Sequence, residues 1–425
     1  IGTMLFTSIY GIVDGLCVSN FVGKTAFAAV NLIMPLPMLL GTIGFMLGTG
    51  GSAIVGITLG EGDQKKADRY FTLFLLAALI SVSVLAVLGI VFLRPIAVLL
   101  GAKGELLDYA VRYGRILMVS LPTFALQNMF QSFFVTAEKP HLGFWFTVGA
   151  GCTNMVLDVL MVGIWGWGVE GAAIATFISQ LVGGVLPVFY FIDRSNSSRL
   201  HLCKTSFYSK VLRDACINGS SELMTNLSMS LVNILYNYQL LRLAGENGVA
   251  AYGVIMYAAF LFVAVFVGYA VGSAPIVSFH YGARNHAEVH NLYRKSLRLI
   301  AVVAVTLTLA SMFIIPCVAR IFVGYDAELL ALTSRAFRLY ALSFLIMGFN
   351  VYASSFFTAL GDGVTSALIS FLRTLAFQVI AILLLPLLLG IDGIWLAVTA
   401  AELAALAVSA AMLLTKDKVF HYRKA

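Results

Sequence analysis

The sequence predicts an all-α integral membrane protein of twelve transmembrane helices, arranged as two six-helix lobes related by a pseudo-two-fold axis along the membrane normal. Three observations predict it. Of 425 residues, 60% are hydrophobic and only 11% charged, with a mean hydropathy of +0.95; a soluble domain carries about a quarter charged residues. Apolar stretches long enough to cross a hydrocarbon core of about 30 Å, roughly 20 residues of helix, recur from end to end. The second half of the chain repeats the first at a nearly constant offset.

The elements follow from the hydropathy in chain order. Six spans are expected at 1–21, 27–59, 70–93, 107–135, 142–163 and 168–192, and six more at 211–243, 249–281, 292–318, 329–360, 364–389 and 393–414. None alternates apolar with polar residues, so a β-barrel is excluded. Several exceed the bilayer thickness and are expected to tilt or to project into water. Pro35 and Pro37 are expected to kink the second span. The chain opens at Ile1 inside an apolar stretch, so further residues are expected before it; no basic segment or cleavage site marks a signal peptide there. The expected organisation is an N-lobe over 1–192, a cytoplasmic linker over 193–210, a C-lobe over 211–415 and a cytoplasmic tail over 416–425.

The net charge of +7 is a matter of topology and not of nucleic-acid binding. Placed on these spans, seventeen of the 27 Lys and Arg residues fall on one side and nine on the other, with Arg373 inside a helix. By the positive-inside rule the linker and both termini face the cytoplasm, and the expected location is a bacterial inner membrane. The five cysteines are odd in number, lack a CxxC and mostly lie in apolar runs, which reads as packing. His286 and His290 have the i, i+4 spacing of a metal pair, but no third ligand is evident and a solvated face is the simpler reading. No HExxH, GxSxG or paired intramembrane histidines occur, so an enzyme is not expected.

The repeat is explicit. GKTAFAAVNLIM at 23–34 matches GENGVAAYGVIM at 245–256, an offset of 222. Arg112 pairs with Arg335, Ser132-Phe133-Phe134 with Ser355-Phe356-Phe357, Gly168-Val169-Glu170-Gly171 with Gly390-Ile391-Asp392-Gly393, and Gln180 with Glu402. Because the offset spans an even number of helices, the repeats are parallel, an organisation found in secondary transporters with the substrate path between the halves. Gly44-x-x-x-Gly48, Gly56-x-x-x-Gly60 and Gly268-x-x-x-Gly272 are expected to let helices approach closely.

Few polar residues lie at membrane depth, and each is a functional candidate because an unpaired carboxylate there is costly. Asp14 falls late in the first span, Asn154 and Asp158 stack at i and i+4 in the fifth, and Thr176 lies in the sixth. Two carboxylates, an amide and a hydroxyl suit a hard cation such as Na⁺, and equally a shared proton. The repeat partners of Asp14 and Thr176 are Tyr236 and Val398, and Asn154 and Asp158 map near Ala376 and Ile380, so the cluster belongs to one half alone. Glu222 is a separate acidic position, to bind a cationic substrate or carry a proton, and Gln180 and Tyr236 are further candidates for the same roles. Arg373 and Glu402 are expected to form a buried, mainly structural ion pair. The 31 Phe, 17 Tyr and 14 Met residues suit a cavity for flat, greasy cations, although most must pack helices or face lipid.

At these residues the chain resembles the multidrug and toxic compound extrusion (MATE) family, nearer its DinF-like and MepA-like bacterial branch. The resemblance covers essentially the whole chain. It rests on Ile9-Tyr10-Gly11-Ile12-Val13-Asp14-Gly15 with Phe21-Val22-Gly23, Ala28-Ala29-Val30-Asn31-Leu32 with Pro35, and Gly60-Glu61-Gly62-Asp63. In the second half it rests on Ala250-Ala251-Tyr252-Gly253 and Tyr281-Gly282-Ala283. The resemblance implies an N-lobe cation site at Asp14, Asn154, Asp158 and Thr176, and antiport in which Na⁺ or H⁺ runs inward while a lipophilic, often cationic, compound is expelled. It implies no cofactor beyond the coupling ion, small-molecule substrates, a lipid bilayer as partner, no nucleic acid, and a monomer. NorM-like members carry an acidic residue in the tenth helix, but 343–358 has none, so no C-lobe ion site is carried over. The alternative within the superfamily is a flippase for lipids or lipid-linked saccharides, which should have a larger basic groove than the single intramembrane Arg373.

Overall fold

The computed structural model describes residues 2–7, 29–30, 32–100, 102–193, 195–323 and 327–422. Most of the first expected span, Asp14 included, lies outside these residues. The chain separates into two compact units, Gly2–Gly219 and Ser220–Ala425.

The first unit holds α1 (Pro35–Gly60), α2 (Gln64–Leu99), α3 (Glu105–Thr136), α4 (Pro140–Asp158), α5 (Gly168–Gly184) and α6 (Leu186–Ile192). Proline sets where α1 and α4 begin: Pro35 and Pro140 occupy the first turn, where a missing N–H costs nothing. The expected kink at Pro35 is thus a helix start, after a turn at Met34. Asp63 caps α2, accepting from the Lys66 N–H at 3.0 Å. Glu105 and Asp108 lie in the first turn of α3, where the helix dipole favours negative charge.

Helices in lipid gain little from the hydrophobic effect and associate through close packing, which small residues permit. A Cβ on Gly44 would stand 2.3 Å from the Ala125 carbonyl oxygen, so α1 touches α3 backbone to backbone. Phe71, Phe130, Phe133, Phe134 and Phe191 form an interior aromatic cluster, with Phe71 and Phe133 centroids 4.8 Å apart and Phe130 stacked on Phe191 at 5.6 Å. The opposite face of α2 presents Ile80, Val84, Val87 and Val91 outward at helical spacing, an apolar stripe suited to lipid.

The polar linker is not a free tether. Leu200 is buried, the His201 N–H donates to Asp68 at 3.0 Å, the Cys203 N–H donates to Thr72 Oγ1 at 3.1 Å, and Arg199 pairs with Glu138 at 3.2 Å. Its backbone donors are satisfied by side chains of α2, which fastens it to the first unit.

The second unit contains most of α7 (Ser209–Gly282), then α8 (His286–Val323), α9 (Ala327–Ala341), α10 (Phe344–Ala359), α11 (Gly363–Phe371), α12 (Phe377–Leu389), α13 (Ile391–Thr415) and the short α14 (Asp417–Phe420). A straight helix as long as α7 would exceed 100 Å at about 1.5 Å per residue. It breaks at Gly245, φ 60° and ψ −151°, into two membrane-length arms. α9 and α10 make one span bent by 46°. Among the described residues, helices lie at eleven of the twelve positions the sequence marks as spans, and nine of these, counting the bent α9–α10 pair once, are long and apolar enough to cross a membrane. The core of the second unit is aromatic: Tyr236 stacks on Tyr252 at 4.9 Å among Phe337, Tyr340, Phe344 and Trp395.

Two expectations need correcting. A Cβ on Gly272 would meet nothing within 4 Å, so among the described residues no close helix approach is made at Gly272 of Gly268-x-x-x-Gly272. Cys152 and Cys317 are exposed on the helix surface and do not pack the interior.

Candidate functional site

In the first unit the candidate residues fall on two helices packed against each other. Asn154 and Asp158 occupy the last two turns of α4, and Asp158 is fully buried. Immediately after Asp158 the helix widens into a π turn, π1 (Val159–Ile164), in which the Trp165 N–H reaches back to the Leu160 carbonyl at 2.8 Å. Such turns insert a residue into the helix and occur preferentially at functional sites.

Thr176 on α5 behaves unlike its neighbours. Thr147 and Thr153 return their hydroxyls to their own helix, onto the Gly143 and Gly149 carbonyls at 3.0 and 2.7 Å. The Thr176 hydroxyl is buried with no hydrogen-bond partner among the described residues. Asn154 Nδ2 and Gln180 Oε1 are in the same condition. Buried polar atoms are ordinarily satisfied, and further exceptions occur in the second unit, at Thr333, Ser343 and Trp395 among the described residues. Two further buried amides, Asn128 Nδ2 and Gln131 Oε1 on α3, are in the same condition and were not anticipated. Their only sequence signal is an Asn and a Gln three residues apart in an apolar span. Amide, hydroxyl and carboxylate oxygens are hard donors, suited to Na⁺ or to a proton shared with water.

The second unit has a different chemistry. Arg373 lies in a second π turn, π2 (Leu372–Ala376), and its Nη1 stands 3.2 Å from Glu402 Oε1 on α13. Asn350 on α10 donates to Glu402 Oε2 at 2.7 Å and accepts from Ser409 at 2.9 Å. Asn350 and Ser409 were likewise not anticipated. Glu222, on the first arm of α7, is half-buried. Tyr236 is buried, with its hydroxyl directed at the Ile394 carbonyl at 3.4 Å. π1 follows Asp158 and π2 carries Arg373, although the repeat does not align these positions; in each unit the π turn sits at the buried charge.

His290 Nδ1–H donates to the Tyr422 carbonyl at 2.9 Å, and the His286 ring lies 6.2 Å from that of His421. Among the described residues no group of three or more His, Cys, Asp or Glu is placed to hold a metal ion.

The family model MatE matches residues 1–160 and 223–384. The multidrug export protein MepA of Staphylococcus saprophyticus is 22% identical over 425 residues, covering 99% of this chain and 92% of that protein. MepA of Staphylococcus aureus is 22% identical over 421 residues with the same coverage. Among solved structures, the outward-facing conformation of a multidrug resistance MATE family transporter of the MOP superfamily superposes with a TM-score of 0.93 at 23% identity, covering 100% of this chain and 95% of the other. A MOP superfamily transporter from Pyrococcus furiosus, described as having a binding pocket of reverse polarity, superposes with a TM-score of 0.91 at 23% identity and the same coverage.

Proposed function

The chain belongs to the MatE family, and from that membership we infer that it is a multidrug efflux antiporter, expelling lipophilic, chiefly cationic compounds in exchange for H⁺ or Na⁺ by alternating access. The observation that carries the reading is Asp158, fully buried in the first unit at the start of a π turn, with the buried polar atoms of Asn154, Thr176 and Gln180 on the same pair of helices. Asp14 is the further carboxylate of this coupling site. The names of the MepA relatives support export as the activity.

In this reading the multi-pass protein lies in a bacterial inner membrane with both termini and the linker in the cytoplasm. The cation enters from outside, neutralises the Asp14–Asp158 region and favours the state that takes up substrate from within. An equilibrium is shifted only by differential affinity for its two states. A buried carboxylate supplies that differential, because one state must present it to solvent and the other must neutralise it.

The test is accumulation of ethidium in cells expressing the protein. Expression should lower accumulation, and Asp158→Asn should abolish the effect with the protein still present in the membrane. Equal accumulation with and without the wild-type protein overturns the proposed export.

A further inference from the structure

A groove of about 610 Å³ runs along α9 in the second unit. Its wall is one stripe of that helix: two alanines, Ser334, Arg335 and Arg338 at helical spacing, with Leu330 and Leu339 beside them. Ligand sites of about 300–1,000 Å³ are typically apolar with a few convergent polar groups. Here those groups are two cations and a hydroxyl, a set that selects an anion.

The two guanidinium groups are differently engaged. Arg335 gives Nη2 to Asp392 at the start of α13, and the rest of its fork has no hydrogen-bond partner among the described residues. Arg338 is exposed and has neither an ion pair nor a hydrogen bond among the described residues. Two guanidinium groups and one carboxylate leave the groove one positive charge; Glu328, which opens α9, does not line it. Arginine forks match the oxygens of a phosphate two at a time, which a lysine cannot do.

The depth of the groove follows from its neighbours. Asp392 comes just after Leu387 and Leu388, which are 80% and 79% exposed at the end of α12, an outward face suited to hydrocarbon. The repeat places the same arrangement in the first unit: Arg112 and Arg115 align with Arg335 and Arg338, Glu170 aligns with Asp392, and Trp165 and Trp167 stand half-exposed shortly before Glu170. Tryptophan concentrates at the membrane–water interface, the level of the lipid headgroups. α13 starts at this end of the unit and carries the chain to the tail at the other. In the orientation proposed above, the groove therefore meets the outer leaflet.

We propose that Ser334, Arg335 and Arg338 bind the headgroup phosphate of an anionic phospholipid, whose glycerol and first methylenes lie along Leu330 and Leu339. A lipid with one net negative charge matches the charge, the apolar wall and the depth together; basic pockets at membrane interfaces recognise such headgroups. A zwitterionic lipid brings its own cation to a groove that is already positive. The site is separate from the coupling residues and does not depend on the export reading.

The experiment follows the thermal midpoint of the full-length protein in detergent as phosphatidylglycerol, phosphatidylcholine of the same chains, or inorganic phosphate is added. Phosphatidylglycerol should stabilise wild type saturably, phosphatidylcholine should need about fivefold more lipid, and phosphate alone should do nothing. Arg338→Gln should raise the half-saturating phosphatidylglycerol content by about fivefold or more, and Arg338→Lys, which keeps the charge and loses the fork, by about twofold to threefold. Arg338 is exposed, so both variants should keep the wild-type midpoint without lipid. Arg294→Gln removes an exposed charge from α8, near the tail, and should leave the lipid response unchanged. Equal response to the two lipids, stabilisation by phosphate alone, an unchanged response in Arg338→Gln, or the same loss in Arg294→Gln overturns the proposal and leaves the export reading standing.

Discussion

Arg112 lies 3.7 Å from Glu170 in the first unit, and the pair recurs in the second as Arg335 with Asp392. The sequence repeat aligns these four residues, so the duplication has preserved an interaction as well as a pattern. The same alignment pairs Gly168 with Gly390, and both adopt a backbone φ of 59°.

The Arg112–Glu170 pair is more than half exposed on the arginine and half exposed on the glutamate, so it should contribute less than about 1 kcal/mol. Arg112→Ala should therefore shift the thermal midpoint in detergent by only a degree or two, and added salt should erase the difference. Glu402→Ala should behave oppositely. It leaves a buried arginine unpaired, at a cost of about 3–5 kcal/mol, and should lower the midpoint sharply at any ionic strength.

Gly390→Ala should destabilise the protein by about 1–3 kcal/mol, through backbone strain alone at φ 59° and ψ −138°. An added Cβ there meets nothing within 4 Å, so packing contributes nothing to the loss. Gly44→Ala should cost a similar or greater amount, about 1–3 kcal/mol, for the other reason, because its Cβ collides with α3. Gly272→Ala should be neutral or slightly stabilising, having neither problem. Thermal midpoints of the three variants, measured side by side, check the contrast.

Asp362 caps α11, accepting from the Thr365 N–H at 3.2 Å and from the Lys416 ammonium at 2.8 Å. Burial alone would raise its carboxyl, but the hydrogen bonds from Lys416 and Thr365 outweigh it and hold the group below the usual carboxylate range. A carboxyl lowered by folding stabilises the folded state fully above its unfolded pKa of about 4, and the contribution is lost as pH falls through the lowered value. Asp362→Asn should lower the thermal midpoint at pH 7 and flatten its decline between about pH 5 and pH 3.

Thr176→Val separates a ligand from a staple. Its hydroxyl is buried without a partner among the described residues, so replacing it with an isosteric methyl should leave stability unchanged or raise it by up to about 1–2 kcal/mol in the absence of coupling ion. The stabilisation by added Na⁺ or by mild acid, whichever the wild type shows, should be lost. A Thr176→Val protein that keeps the full response would remove Thr176 from the site.

Span positions, the repeat and the polarity of the two halves were legible because membrane burial leaves a local signature: an apolar helix, a proline at its start, an aspartate at its cap. Asn128, Gln131, Asn350 and Ser409 were not. An amide or hydroxyl in a helix is usually satisfied by its own backbone, as Thr147 and Thr153 are, and the sequence does not distinguish Thr176 from them. Nor does it mark the linker as docked. The partners Asp68 and Thr72 lie more than 130 residues before His201 and Cys203, and a polar stretch with non-local partners reads like a free one. The π turns carry no composition signal. Asp14 was singled out from sequence and lies outside the described residues.

The central claim is that the repeats share a scaffold but divide the chemistry, with cation coupling assigned to the first. Transport in proteoliposomes, with a Na⁺ gradient or a pH gradient imposed separately, tests it most directly. Wild type should drive ethidium uphill with one of the two gradients, and Asp158→Asn and Asp14→Asn should each abolish the coupled component while leaving ethidium binding intact. Undiminished coupled transport in both variants would contradict the account.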